Sequence, residues 1–179
     1  MRETVDSREQ EATGSIPPTT APAIKVASLT KSFGLRKALN QLDFSLPQGA
    51  FLSIFGHNGA GKSTLLRILS TLDRPTAGSA QVLGFDTREG ADAIKARIAL
   101  ISHAPLLYGD LTAEENLLLT ARLYGVRDPQ ARVRELLRQV ELDHRRLDIA
   151  RTFSRGMTQR LSIARALLHD PQLVFLDEP

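Results

Sequence analysis

Cysteine and tryptophan are absent from this 179-residue chain, and aromatic residues make up only 5% of it. Without cysteine there can be no disulfide and no thiolate metal site, a composition that fits a reducing compartment. No apolar stretch approaches the roughly 18 unbroken residues that a membrane-spanning helix requires, so any work at a membrane is expected to pass through another polypeptide. The opening residues, Met1 to Gln10, are too polar for a secretory signal, so the chain is expected to stay in the cytoplasm. An excess of charge is missing too, the formal net charge being +3. Arginines recur at Arg122, Arg127, Arg132, Arg134, Arg138, Arg145, Arg146 and Arg151. They are not interleaved with aromatic stacking platforms, so a solvated helical face is preferred to nucleic-acid binding.

What the chain does have is an ordinary globular composition, 42% hydrophobic and 24% charged, and enough length for one domain. Residues 1–22 are rich in Glu, Thr, Ser and Pro, with too little apolar surface to offset their ordering entropy, and read as a disordered tail. From residue 23 the pattern becomes that of a folded domain running to 179. Ile24–Leu29 and Leu42–Leu46 alternate as half-buried strands, and Phe51–Phe55 is a short apolar run expected to be a buried strand. Leu65, Leu66, Ile68, Leu69 and Leu72 fall on one helical face. Ala80–Leu83 and Ile98–Ile101 read as further strands. Helices are expected near 113–124 and 129–141, the second introduced by the cap pair Asp128-Pro129. Another is expected over 156–168, before a last strand at Leu173–Leu176. Strands alternating with helices predict a three-layer α/β domain with a mainly parallel sheet.

One segment carries chemistry by itself. Gly56-His57-Asn58-Gly59-Ala60-Gly61-Lys62-Ser63, followed by Thr64, has the spacing of a phosphate-binding P-loop. Glycines let successive backbone N–H groups point inward at phosphate oxygens. The helix beginning at Lys62 turns its positive end toward the same place. Lys62 offers a point charge to the β- and γ-phosphates, and the Ser63 hydroxyl is suited to ligate Mg²⁺. The motif lies between an expected strand and an amphipathic helix, which is the context it needs. His57 occupies a free position and reads as a tolerated loop residue.

Leu173-Val-Phe-Leu-Asp177-Glu178 sets two carboxylates at the end of an apolar strand. Ligands collect at the carboxyl ends of strands in open α/β sheets. Asp177 is therefore expected to hold Mg²⁺, through a bound water, and Glu178 to polarise the attacking water. A plain strand exit would look the same, so this reading leans on the P-loop upstream.

With those residues in place, the chain from Ile24 to Pro179 resembles the ATP-binding subunits of ABC transporters. Phe153-Ser154-Arg155-Gly156-Met157-Thr-Gln-Arg-Leu-Ser-Ile-Ala-Arg is similar to that family's signature segment and the helix it opens. The resemblance implies that Ser154, Arg155, Gly156 and Met157 reach ATP bound by a second ATP-binding subunit in a head-to-tail dimer. It implies that Phe33 stacks on adenine; from its residue type alone, a core Phe at a strand end would serve equally. It further implies a P-loop (RecA-like) core, an N-terminal antiparallel β subdomain, and a helical subdomain over about 103–152 that meets a membrane permease. ATP and Mg²⁺ are the implied ligands. The implied setting is peripheral, on the cytoplasmic face of the inner membrane, with membrane contact only through the permease and no direct nucleic-acid contact.

The departures from the family pattern carry expectations of their own. His103 stands where the family has a glutamine that senses Mg²⁺ and the partner, adding a titratable group. Arg155 replaces a signature glycine and Met157 the terminal glutamine. Ile-Ser-His103, Leu-Leu-Tyr108 and Phe-Ser-Arg-Gly-Met157 together resemble the haem-exporter ATP-binding subunits of cytochrome c maturation. Family members continue past the acidic strand, whereas this sequence stops at Pro179; the resemblance thus implies an incomplete ATPase, weakly active or inactive alone. The rival readings are a soluble ABC ATPase acting on ribosomes or DNA, and a nucleotide-binding protein without turnover.

Overall fold

The computed structural model describes residues 21–102 and 105–177. Most of the expected tail, together with His103 and Glu178, lies outside the described residues.

The first sheet grows from a hairpin of β1 (Ile24–Phe33) and β2 (Arg36–Leu46). Phe33 pairs with Arg36, leaving a two-residue turn in which Gly34 takes φ +58°, a value that costs glycine no Cβ clash. Ile24, Val26 and Leu29 of β1 are all buried, although the last step spans three residues rather than two. A register shift between Val26 and Leu29, with Ser28 at φ +47°, resets the phase. On the other side of β1 lies β3 (Ala77–Val82), followed by the two-residue β4 (Phe85–Asp86), giving the order β2-β1-β3-β4, antiparallel throughout.

α1 (Lys62–Leu69) buries Leu65, Ile68 and Leu69 against this sheet, one stripe of a 3.6-residue period. Leu72 falls beyond the helix and is exposed. A short α2 (Ala91–Lys95) contributes Ile94 to the same core.

The second sheet is a parallel pair, β5 (Ile98–Ser102) and β6 (Leu173–Asp177), in register from Ile98↔Leu173 to Ser102↔Asp177. Parallel neighbours need a long crossover, and here it is the whole helical excursion. This comprises α3 (Ala113–Leu123), α4 (Pro129–Gln139) and α5 (Arg155–Leu167). Their ends follow the sequence signals. Thr112 and Glu115 form a reciprocal capping box on α3, and the Asp128 side chain accepts from the Ala131 amide ahead of Pro129. Leu117, Val133, Leu136, Leu137 and Leu161 build a second apolar cluster, distinct from the one under the β sheet. The molecule is thus an α/β domain with an antiparallel N-terminal sheet, a parallel pair and an inserted helical layer.

The expected buried strand at Phe51–Phe55 is corrected by the structure. The segment makes no strand ladder, and Phe51 and Phe55 are exposed. Apolar composition alone does not make a run of residues a strand, which also needs a hydrogen-bonded ladder with a neighbour. Among the described residues this one instead faces Val174–Asp177 across an apolar groove of about 330 Å³.

Candidate functional site

The chain leaves residue 55 directly into the loop 56–61, and α1 starts at Lys62. Gly61 caps the helix in the left-handed region, at φ +90°. No side chain bonds the first-turn amides of α1, and no acidic residue stands in that turn. The longer helices differ. Thr112, Asp128 and Ser154 each accept a backbone N–H at the starts of α3, α4 and α5. The open start of α1 therefore presents unsatisfied donors and the positive end of the helix dipole to an anion.

Lys62 turns back over the loop, its Nζ donating to the Gly56 carbonyl at 2.8 Å and the His57 carbonyl at 3.1 Å. The Ala60 amide closes a turn onto the His57 carbonyl at 3.1 Å. His57 itself bonds through Nδ1 to the Asn58 carbonyl oxygen at 2.9 Å, a contact within the loop.

Above the loop opens a cavity of about 510 Å³, within the size range of small-molecule sites. Asn58, Gly59, Gly61, Lys62, Ser63 and Thr64 line one side, and Phe33, Arg36 and Ala38 the other. Among the described residues two cations line it and no carboxylate does, so their field favours an anionic guest. Phe33 is 54% exposed at this rim, which removes the alternative of a core phenylalanine. The Lys31 ammonium lies 5.0 Å from the Phe33 ring centroid and is itself tied to Asp73.

From the other side comes the acidic strand. Ser63 Oγ donates to Asp177 Oδ1 at 2.9 Å, joining residues 114 apart in sequence. Asp177 closes β6 opposite Ser102 of β5, at the carboxyl ends of the parallel pair. The hydroxyl and carboxylate are hard oxygen donors of the kind Mg²⁺ takes. Among the described residues there is no group of three or more His, Asp or Glu that could hold a metal. That is the expected situation for Mg²⁺, which is held by one or two carboxylates together with substrate phosphates. The donor set fits the ion.

The structure thus gathers Phe33, the 56–64 loop and Asp177 into one region. Ser154, Arg155, Gly156 and Met157 stand apart, outside the lining of the loop cavity. There Ser154 caps α5 through the Met157 amide at 3.3 Å, Met157 packs into the helical cluster, and Arg155 and Gly156 are exposed. His103 and Glu178 fall outside the described residues. The sequence reading missed Arg36 and Ala38, because it began the second strand only at Leu42. Phe33-Gly34 was the available signal, since a two-residue turn there brings Arg36 opposite Phe33.

Comparison with known proteins follows the same outline. The family described as ABC transporter matches residues 39–179. The chain is 42% identical over 156 residues to the bacitracin transport ATP-binding protein BcrA of Bacillus licheniformis, covering 87% of this chain and 51% of that protein. It is 41% identical over 159 residues to the daunorubicin resistance ATP-binding protein DrrA3 of Streptomyces coeruleorubidus, covering 88% and 50%. The chain therefore spans about half the length of the curated relatives it matches. A solved ATP-binding subunit of an ABC transporter superposes with a TM-score of 0.79 at 32% identity, over 88% of this chain and 66% of that one. CbiO1 from Clostridium perfringens, part of the cbiONQ transporter complex, shares the fold at a TM-score of 0.77 and 22% identity, over 89% and 66%.

Proposed function

This chain belongs to the ABC transporter family, and from that premise we propose that it binds ATP with Mg²⁺ and couples its hydrolysis to a membrane permease. The observation that carries the reading is the Ser63–Asp177 hydrogen bond beside the open start of α1. It sets a hydroxyl and a carboxylate together where the terminal phosphates would lie.

Each residue then has a task. The loop amides and Lys62 bind the β- and γ-phosphates, and Phe33 stacks on the adenine. Ser63 and Asp177 would hold Mg²⁺, which would supply positive charge to offset that of the phosphates. Glu178 orients the attacking water, and His103 takes the place of the glutamine that in the family senses Mg²⁺ and the partner. Ser154, Arg155, Gly156 and Met157, at the start of α5 that Ser154 itself caps, are presented to the nucleotide of a second subunit arranged head to tail. The reaction needs positioning and charge neutralisation more than covalent chemistry.

No helix of the described residues is long and apolar enough to cross a membrane. The proposed place of work is the cytoplasmic face of a membrane, through a permease. The relatives above are named for bacitracin and daunorubicin, and those names favour an antibiotic-like organic cargo moving outward. The haem-export expectation finds no support among them. Deleting the gene is expected to lower tolerance to such a compound and to leave cytochrome c content unchanged; the reverse pattern would restore haem.

For the nucleotide reading itself, Lys62→Ala should abolish MgATP binding at micromolar nucleotide, as measured by calorimetry. Unchanged affinity in that variant would refute it.

A further inference from the structure

Arg36 stands beside the phosphate loop without an acidic partner. Among the described residues no ion pair includes it. Among the described residues its one side-chain hydrogen bond runs from Nη2 to the Gly59 carbonyl oxygen at 3.4 Å, long for an N–H donor. The same Nη2 lies 2.9 Å from the point a Cβ on Gly59 would occupy, so the guanidinium rests on the crest of the loop.

The hairpin explains how it gets there. Arg36 is the cross-strand neighbour of Phe33, and Ala38, two residues on, falls at a register shift between the Ser32↔Lys37 and Lys31↔Leu39 pairs. Ala38 also abuts the loop, its carbonyl oxygen 2.4 Å from a Cβ position on Gly61. All three residues line the 510 Å³ cavity, where among the described residues Arg36 and Lys62 are the two cations and no acid lines it. A guanidinium carries five N–H donors in a planar fork matched to phosphate oxygens, and bonds to an anion are stronger than bonds to a carbonyl.

We propose that Arg36 is a second phosphate-binding cation, gripping the polyphosphate from the β2 side while Lys62 holds it from the loop side. The proposal rests on the nucleotide reading above and adds to it a residue that lies outside the loop motif. It also predicts base-independence, because the phosphates and not the base meet the guanidinium.

Calorimetric titration of the unaltered chain, Arg36→Gln and Arg36→Lys with MgATP and MgGTP tests it, with thermal denaturation of each apo form as the control for folding. Arg36→Gln should weaken both nucleotides by about tenfold, the size of one charge-assisted bond. Arg36→Lys should recover part of that loss, and the apo denaturation midpoint should not move. Affinity within twofold of the unaltered chain in Arg36→Gln overturns the proposal. So does a loss confined to ATP, which would put the guanidinium against the base, or a loss equal in size to a drop in apo stability. If the unaltered chain binds neither nucleotide, the underlying nucleotide reading fails, and this assignment fails with it.

Discussion

A Cβ built on Gly61 would lie 2.4 Å from the Ala38 carbonyl oxygen and 2.9 Å from Leu39 Cδ2. The second strand of the hairpin is therefore pressed against the last residue of the phosphate loop, and only glycine fits. The φ of +90° adds a backbone conformation that other residues reach at roughly 1–3 kcal/mol. Gly61→Ala is expected to lose at least that much stability in urea denaturation and to lose nucleotide binding, because the loop must move away from β2. A variant that keeps both the denaturation midpoint and the affinity would show that the loop and hairpin are not locked together.

Asp177→Asn separates phosphate binding from the metal. The amide oxygen can still accept from Ser63, whose present bond is 2.9 Å, so the fold should be undisturbed. The carboxylate charge that attracts Mg²⁺ is gone. Affinity for ATP in excess EDTA should match the unaltered chain, whereas the gain on adding Mg²⁺ should fall by about tenfold. Equal Mg²⁺ dependence in the two proteins would remove Asp177 from the metal site.

How much of this could be read from the sequence depended on how local each signal was. The loop at 56–64, the buried stripe Leu65, Ile68 and Leu69, and the Asp128-Pro129 helix start each sit within a few residues of their own cause. Asp177 was legible because an apolar strand ending in acid has one use beside a phosphate loop. Arg36 was hidden by its polar neighbours, since Arg36-Lys37 and Asn40-Gln41 flank only two apolar residues and do not read as strand. The phase of β1 depended on a bulge at Ser28, whose amide donates to Asp43 Oδ1 at 2.7 Å. Phe51–Phe55 failed for a related reason: hydrophobicity is local, but strand pairing belongs to the neighbour. β4 and α2, of two and five residues, are too short to show any period.

Asn116 pins the segment that follows the β5 end to the helical layer. It is 2% exposed. Its Oδ1 accepts from the Tyr108 amide at 2.8 Å, and its Nδ2 donates to the carbonyls of Tyr108 at 3.0 Å and Thr112 at 2.9 Å. Asn116→Ala takes the acceptor from the Tyr108 amide, while the Tyr108 and Thr112 carbonyls keep the Leu111 and Asn116 amides as donors; the cost is about 1–3 kcal/mol. The expected signature is a lower urea midpoint with faster hydrogen exchange at the Tyr108 amide. Exchange at Tyr108 unchanged from the parent protein would show that the segment is held by other contacts.

Asp73 gives the pH dependence a defined sign. Lys31 Nζ donates to Asp73 Oδ1 at 2.6 Å, and the Arg74 amide donates to the same oxygen at 2.7 Å. The Lys31 bond is the first cause, and the Arg74 amide a further one, of a carboxyl held below its ordinary range, against the opposing effect of partial burial. A group whose folded pKa is depressed stabilises the fold fully above its unfolded pKa, about 3.9 for Asp. That contribution is lost as pH falls through the lower folded value. Both side chains are mostly covered, 13% and 23% exposed, yet still reach solvent, and the pair is worth about 1 kcal/mol after solvent screening. Asp73→Asn should therefore sit a constant small amount below the unaltered chain in stability from pH 7 down to about 5. The gap should narrow below about pH 4 as the native carboxyl takes up its proton. The same substitution releases Lys31, whose ammonium lies 5.0 Å from the Phe33 ring centroid, so it should also alter the quenching of an adenine-linked fluorophore bound at that ring. A stability gap that widens toward low pH would mean that Asp73 is stabilised as the neutral acid, and the Lys31 bond would not be the cause of its shift.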